Sequence, residues 1–205
     1  TKLILKADLV VVTMEKYALN LQEKYHTTNV KMIPHGTFEI PKKPSHRLRN
    51  GTLKVMTFGK FGTYKKVESL IEAVEKVRES TGLDLEIIIA GTDNPNVIGY
   101  LANVKEKYKH ISQITFTGYV EENQVESLFN QSAVVVFPYT STSGSSGVLH
   151  QAGSYGKAVI MPNLGDLATL VEDEGYRGEF FEPGSVDSLA AAIETVVTND
   201  AYRVA

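Results

Sequence analysis

Residues 141 to 157, Ser-Thr-Ser-Gly-Ser-Ser-Gly-Val-Leu-His-Gln-Ala-Gly-Ser-Tyr-Gly-Lys, follow an apolar run from Ala133 to Phe137 and a break at Pro138. That order predicts a buried strand emptying into a loop of glycine and hydroxylic residues, which then opens a short helix. The first amides of a helix lack intrahelical partners and lie at the positive end of its dipole, so such a turn suits an anion. A second segment of similar character, Gly59-Lys60-Phe61-Gly62-Thr63-Tyr64-Lys65-Lys66, follows the predicted strand Leu53 to Phe58. Free amides around Gly144, Ser145, Ser146 and Gly147 favour a phosphate, and Lys60 and Lys65 can bring positive charge to it. A diphosphate is the natural fit if the fold makes the two loops face each other.

The elements that would position them are regular. Strands are expected at 53–58, 84–90, 112–117, 133–137, 158–161 and 178–181, with amphipathic helices at 64–79, 96–109, 122–131, 146–155, 167–173 and 186–198. Leu70, Ile71, Val74 and Val77 mark the apolar side of the first helix, and Leu189, Ile193, Val196 and Val197 repeat that stripe in the last. Ser185 is placed to cap the last helix and Gly156 to end the fourth. Short apolar strands alternating with helices imply an α/β, Rossmann-like doubly wound parallel sheet covered on both faces. Its usual order, 3-2-1-4-5-6, makes strands 1 and 4 neighbours and opens a crevice between the loops that follow them. Those are the two loops singled out above. Upstream, Leu9 to Val12 and Val30 to Ile33 read as strands flanking a helix capped by Thr13 and running to about Tyr25. Residues 37 to 51, with Pro41, Pro44, Lys42, Lys43, Arg47 and Arg49, read as an inter-domain linker.

Composition narrows the function. The chain has 205 residues, 42% apolar and 22% charged, with a net charge of -3; this is an ordinary globular balance without the basic signature of a nucleic-acid binder. It contains no cysteine, which excludes disulfides, thiolate metal sites and a cysteine nucleophile. No apolar run approaches the length of a membrane span, and the chain is expected to be cytoplasmic. The loop after strand 1 is not Gly-x-Gly-x-x-Gly, no nucleoside triphosphatase phosphate loop is present, and Gly144-Ser145-Ser146-Gly147 lacks the Gly-x-Ser-x-Gly spacing of a serine hydrolase. Asp93 is open to two readings, a ribose ligand or a helix cap. His26, His35, His46, His110 and His150 show no metal-ligand spacing with carboxylates. No metal is expected.

Several segments resemble the retaining GT-B glycosyltransferases of family 4, the glycosyl transferases group 1. They are Ile33-Pro34-His35-Gly36, Phe58-Gly59-Lys60 with Lys65 and the helix Val67 to Ala73, Phe116-Thr117-Gly118-Tyr119-Val120, Val134 to Ile160 with Gln151-Ala152 and Gly156-Lys157-Ala158-Val159-Ile160, and Phe181-Glu182-Pro183-Gly184-Ser185. The resemblance implies two Rossmann-like domains. Residues 1–36 would be the end of an N-terminal acceptor-side domain and 52–205 a C-terminal domain binding the donor. It implies a hexosyltransferase whose donor is a nucleoside-diphosphate sugar, UDP-linked before GDP-linked, with no cofactor beyond the donor. The acceptor would be a saccharide or lipid-linked glycan in polysaccharide or glycolipid assembly, at the inner membrane face. A chain carrying mainly the donor half would transfer little by itself.

Carried over by position, Lys60 and Lys65 hold the donor diphosphate, with Gly59 beside them. Residues Ser143, Gly144, Ser145, Ser146 and Gly147 meet phosphates and sugar through their amides, Gln151 meets the ribose, and Gly118, Tyr119 and Val120 frame the base. The chain also departs from the family. Where the resemblance leads one to expect two glutamates spaced Glu-x7-Glu, it carries Ser143 and Gln151. Lys60 stands where the family has arginine, keeping the charge but not the bidentate fork.

Overall fold

The computed structural model describes residues 3–36, 52–141, 146–175 and 178–204. A short unit comes first: β1 (Val10–Val12), α1 (Glu15–Tyr25) and β2 (Val30–Met32), the two strands pairing in parallel. The main body follows as β3 (Leu53–Phe61), α2 (Glu68–Thr81), β4 (Leu85–Asp93), α3 (Tyr100–Lys107), β5 (Ile114–Gly118), α4 (Glu122–Gln131) and β6 (Val134–Val136). It is completed by α5 (Gly147–Ser154), β7 (Ala158–Pro162), α6 (Gly165–Glu174), β8 (Gly178–Phe181), α7 (Val186–Thr198) and α8 (Asp200–Val204). All six strands are parallel, in the order β5-β4-β3-β6-β7-β8. This is the expected doubly wound order, with β3 and β6 as the adjacent pair at the switch point.

Two apolar layers sandwich the sheet. On one face Leu70, Ile71, Val74 and Val77 of α2 pack with Leu189, Ile193, Val196 and Val197 of α7, all essentially buried, against Val55, Ile87 and Ile89. Across the sheet Phe129 of α4, Leu149 and Ala152 of α5 and Leu167 of α6 cover Met56, Val135, Val159 and Met161. The N-terminal unit joins this second layer through Met14 and Tyr17. Lys16 pairs with the buried Asp166 of α6, and the Tyr17 hydroxyl donates to the same carboxylate.

Local signals explain most boundaries. Ser185 accepts a hydrogen bond from the Ser188 amide at 3.1 Å, capping α7 as expected. Gly156 follows α5 with φ of 61°, the left-handed turn that ends a helix. The expected Thr13 cap is not made, because α1 begins one residue later, behind Met14, without a side-chain cap. Residues 37–51, expected as a linker, lie outside the described residues.

Candidate functional site

At the C-terminal edge of the sheet three glycines form a row across three strands. Gly59 of β3 is in register with Gly91 of β4, and Gly91 with Gly118 of β5. A side chain on Gly91 would put its Cβ 1.9 Å from the Gly59 carbonyl oxygen, and Gly91 has φ of 133°. Only glycine satisfies both demands. A Cβ on Gly59 would lie 3.1 Å from Lys65 Nζ, so the ammonium rests directly on the bare backbone of β3. The row is a side-chain-free floor running from Gly118 to Lys65.

This corrects the expected strand 1 loop. β3 continues through Phe61, and Gly59 and Lys60 belong to the strand, in register with Gly91 and Thr92. The extension arises from pairing with β4, which itself runs to Asp93. Helix α2 accordingly starts at Glu68, later than the expected 64, because the preceding residues are engaged elsewhere. Lys65 bridges to Tyr139, the Lys66 amide donates to the Pro138 carbonyl at 3.1 Å, and the Thr140 amide donates to the Tyr64 carbonyl at 2.8 Å. The exits of β3 and β6 are thus stitched together.

Lys65 and Lys60 differ sharply in setting. Lys65 is partly buried, its Nζ 4.7 Å from the Tyr139 ring centroid and 5.7 Å from that of Tyr64. Burial pulls its pKa below the ordinary lysine value, with no carboxylate among the described residues to offset it. Among the described residues its charge is held only by aromatic faces, which leaves it without a full counter-charge there. Lys60 is exposed.

Across the crevice α5 begins at Gly147 behind Ser146, whose side chain makes no capping bond. The Gly147 and Val148 amides donate to no described backbone carbonyl, whereas those of Leu149 and His150 reach the Ser146 carbonyl. Gln151 lies one turn on from Gly147, on the same side of the helix and half-buried. Ser143, Gly144 and Ser145 lie outside the described residues. The buried Tyr139 hydroxyl has Ser146 beside it but makes no hydrogen bond of ordinary geometry, and burial raises its pKa. The His35 ring stacks on buried His150 of α5, centroids 5.1 Å apart and planes 13° off parallel.

At the far end of the floor, Gly118 is exposed, Tyr119 is 72% exposed, and Val120 packs partly against the α4 to α6 layer. Asp93 accepts hydrogen bonds from the amides of Gly99 at 2.6 Å and Leu101 at 2.8 Å, so it caps the start of α3. Among the described residues no group of three or more metal-ligating side chains is assembled. A cavity of about 390 Å³ lies where Lys66 and Ser69 meet Pro138 to Thr140 and Ser185. Neither Lys65 nor α5 lines it, although Tyr139 borders both the cavity and the crevice. The site residues that sequence reasoning missed are Gly91, Tyr139 and His35. Gly91 could have been found as the glycine ending strand 2, but the other two depend on contacts distant in sequence.

A model of the glycosyl transferases group 1 matches residues 52–199, most of the chain and the whole of the six-stranded sheet. The chain belongs to this family. No curated protein matches the sequence. Solved structures share the fold at low identity. Anabaena Alr3699/HepE, in complex with UDP and glucose, is 20% identical with a TM-score of 0.77 over 97% of this chain and 55% of that one. A TarM mutant of S. aureus, in complex with fondaparinux, alpha-GlcNAc-glycerol and UDP, is 18% identical with a TM-score of 0.75, covering 97% of this chain and 38% of that one. Sucrose-phosphate synthase from Thermosynechococcus elongatus is 21% identical with a TM-score of 0.76, covering 97% and 51%. This chain therefore spans from 38% to 55% of these glycosyltransferase structures. Among the described residues no helix is long and apolar enough to cross a membrane.

Proposed function

We propose that the chain is the donor-binding half of a retaining, family 4 hexosyltransferase that takes its sugar from a nucleoside diphosphate, UDP before GDP. The observation that carries this reading is the placement of Lys65 at the switch point in a member of this family, desolvated, with no described carboxylate beside it, and over the ring of Tyr139, whose hydroxyl lies beside Ser146 at the start of α5. In this reading the diphosphate lies between the Lys65 ammonium and the α5 amides, with Lys60 adding charge at the rim. Ser143 to Gly147 would wrap the phosphates and sugar, Gln151 the ribose, and the floor from Gly59 to Gly118 would lead to the base beside Tyr119 and Val120. Stabilising the departing diphosphate is the main electrostatic task, and fixed amides with a desolvated cation suit it. The acceptor, a saccharide or a lipid-linked glycan, would come from the N-terminal side of a parent protein.

Calorimetry against UDP, GDP, ADP and NAD tests the reading. UDP is expected to bind most tightly. Tight NAD binding with no response to any nucleoside diphosphate would overturn it. A second reading, a nucleotide-sugar-binding module without transfer, is favoured by Ser143 and Gln151 standing where the resemblance calls for two acids. Sugar transfer by a parent-length protein, followed by product analysis, separates the two.

A further inference from the structure

We propose that His35 is a proton-linked contact for the donor diphosphate, reaching over the first turn of α5 from the N-terminal unit; this rests on the donor-binding reading above. His35 is exposed and follows β2 after Pro34. Its Nε2 lies 3.1 Å and its Cε1 3.2 Å from where a Cβ on Gly147 would stand, so the ring edge covers the start of α5. Stacking on His150 fixes the ring plane, at 5.1 Å between centroids.

The tautomer follows from the second nitrogen. His35 Nδ1 is 2.9 Å from the Gly36 carbonyl oxygen, which can only accept, so Nδ1 carries a hydrogen. In the neutral ring Nε2 then bears the lone pair, and that lone pair sits against the positive end of α5, a favourable arrangement with no ligand present. A diphosphate on the same amides reverses the local field. The lone pair would face negative charge, and taking one proton from solvent at Nε2 turns the repulsion into a charged hydrogen bond. Imidazole is the side chain suited to that change near neutral pH.

An independent feature points to the same turn. The Tyr139 hydroxyl, in a residue only 3% exposed, lies beside Ser146 at the α5 N-cap but makes no hydrogen bond of ordinary geometry among the described residues. It is an unused donor at the place where the phosphates would sit. The titratable groups around this point are His150 from α5, Tyr139 after β6 and Lys65 after β3, and no carboxylate among the described residues pairs with His35. Without an anion, a protonated His35 would share the crevice with the Lys65 cation; the diphosphate neutralises both. Proton uptake should therefore accompany binding.

The test is calorimetry of UDP binding at pH 6.0 and pH 8.5, each in two buffers of different ionisation enthalpy, for the wild-type chain and His35→Gln. Titration of UDP itself is common to both proteins. The wild type should take up a larger fraction of a proton than the variant, and its affinity should fall about tenfold more across that range, the scale of one charged hydrogen bond. Identical proton uptake and identical pH profiles would reduce His35 to a stacking residue and overturn the inference while leaving the donor-binding reading intact. Failure of both proteins to bind UDP, GDP or ADP would remove that reading and the inference together. Nitrogen-15 spectra give a second check. On adding UDP at pH 7.5 the His35 Nε2 resonance should move toward its protonated position, and an unmoved resonance counts against the proposal.

Discussion

The segments leaving β3 and β6 lie side by side at the switch point and offer opposite kinds of group. After β3 the backbone is committed, with Gly59 and Lys60 inside the ladder and Lys65 bridged to Tyr139. What remains free there is a side chain, the Lys65 ammonium. After β6 the relation is inverted, because the Gly147 and Val148 amides that open α5 donate to no described backbone carbonyl. One side supplies a full charge and the other a fixed dipole. A diphosphate needs both, since amides fix its geometry without cancelling its charge, and a lysine cancels charge without fixing geometry.

The harshest way to break this arrangement is at its floor. Gly91→Ala forces a Cβ to within 1.9 Å of the Gly59 carbonyl oxygen at a positive φ, so the β3 and β4 edges must part. A loss of about 3 kcal/mol in folding stability is expected from overpacking and backbone strain together. Urea denaturation checks it, and an unchanged midpoint would mean the two strands have slack that the register does not suggest.

Next in size is the charged side of the crevice. Lys65→Ala should weaken UDP binding by about 1 to 3 kcal/mol, the range for a lost charged hydrogen bond, whereas Lys60→Ala, at an exposed strand position, should cost less. Calorimetry on both variants ranks them, and equal losses would erase the distinction between the two lysines.

Much of this arrangement is legible in the residues alone, and what is not has a common cause. Helices α4 and α7 begin and end where expected because local signals set them: Glu121 with Gln124 in a capping box, and Ser185 at an N-cap. Strand order follows from the alternation of elements and the handedness of crossovers. The misplacements occur where a partner distant in sequence decides. β3 outruns its predicted span because Gly91 lets β4 come close, and α2 starts late because Lys65 is held by Tyr139. His35 joins the site only because the turn of chain after β2 brings its ring onto His150, which no periodicity encodes.

A second buried lysine sharpens the contrast with Lys65. Lys157, just past α5, is also desolvated and its pKa is pushed down to about 8, but its Nζ donates to the Asn130 carbonyl at 3.3 Å. In the unfolded chain it would titrate near 10.5, so between pH 8 and 10.5 the unfolded state holds more protons. Stability therefore rises with pH across that window, and below pH 8 the burial penalty is present in full. Relative to Lys157→Met, the wild type should gain thermal stability between pH 8 and pH 10.5. UDP affinity should not change, and a binding defect in Lys157→Met would place this lysine in the site.

The smallest expected effect tests the amide side. Gln151 stands one turn beyond Gly147, half-buried and on the crevice side of α5 if that helix points its first amides at the phosphates. A carboxylate there can accept from two ribose hydroxyls at once, whereas the amide offers one acceptor atom and two donors. Gln151→Glu brings that gain together with a negative charge one helical turn from the phosphates, and the two contributions oppose. Affinity for UDP should be unchanged or up to about fivefold tighter, within the net worth of one hydrogen bond. Raising ionic strength should improve the variant relative to the wild type, because it screens the repulsion and leaves the hydrogen bonds. A large loss of affinity at all salt concentrations would mean that residue 151 faces the phosphates directly. The dipole side of the crevice would then be rotated from the orientation that pairs it with Lys65.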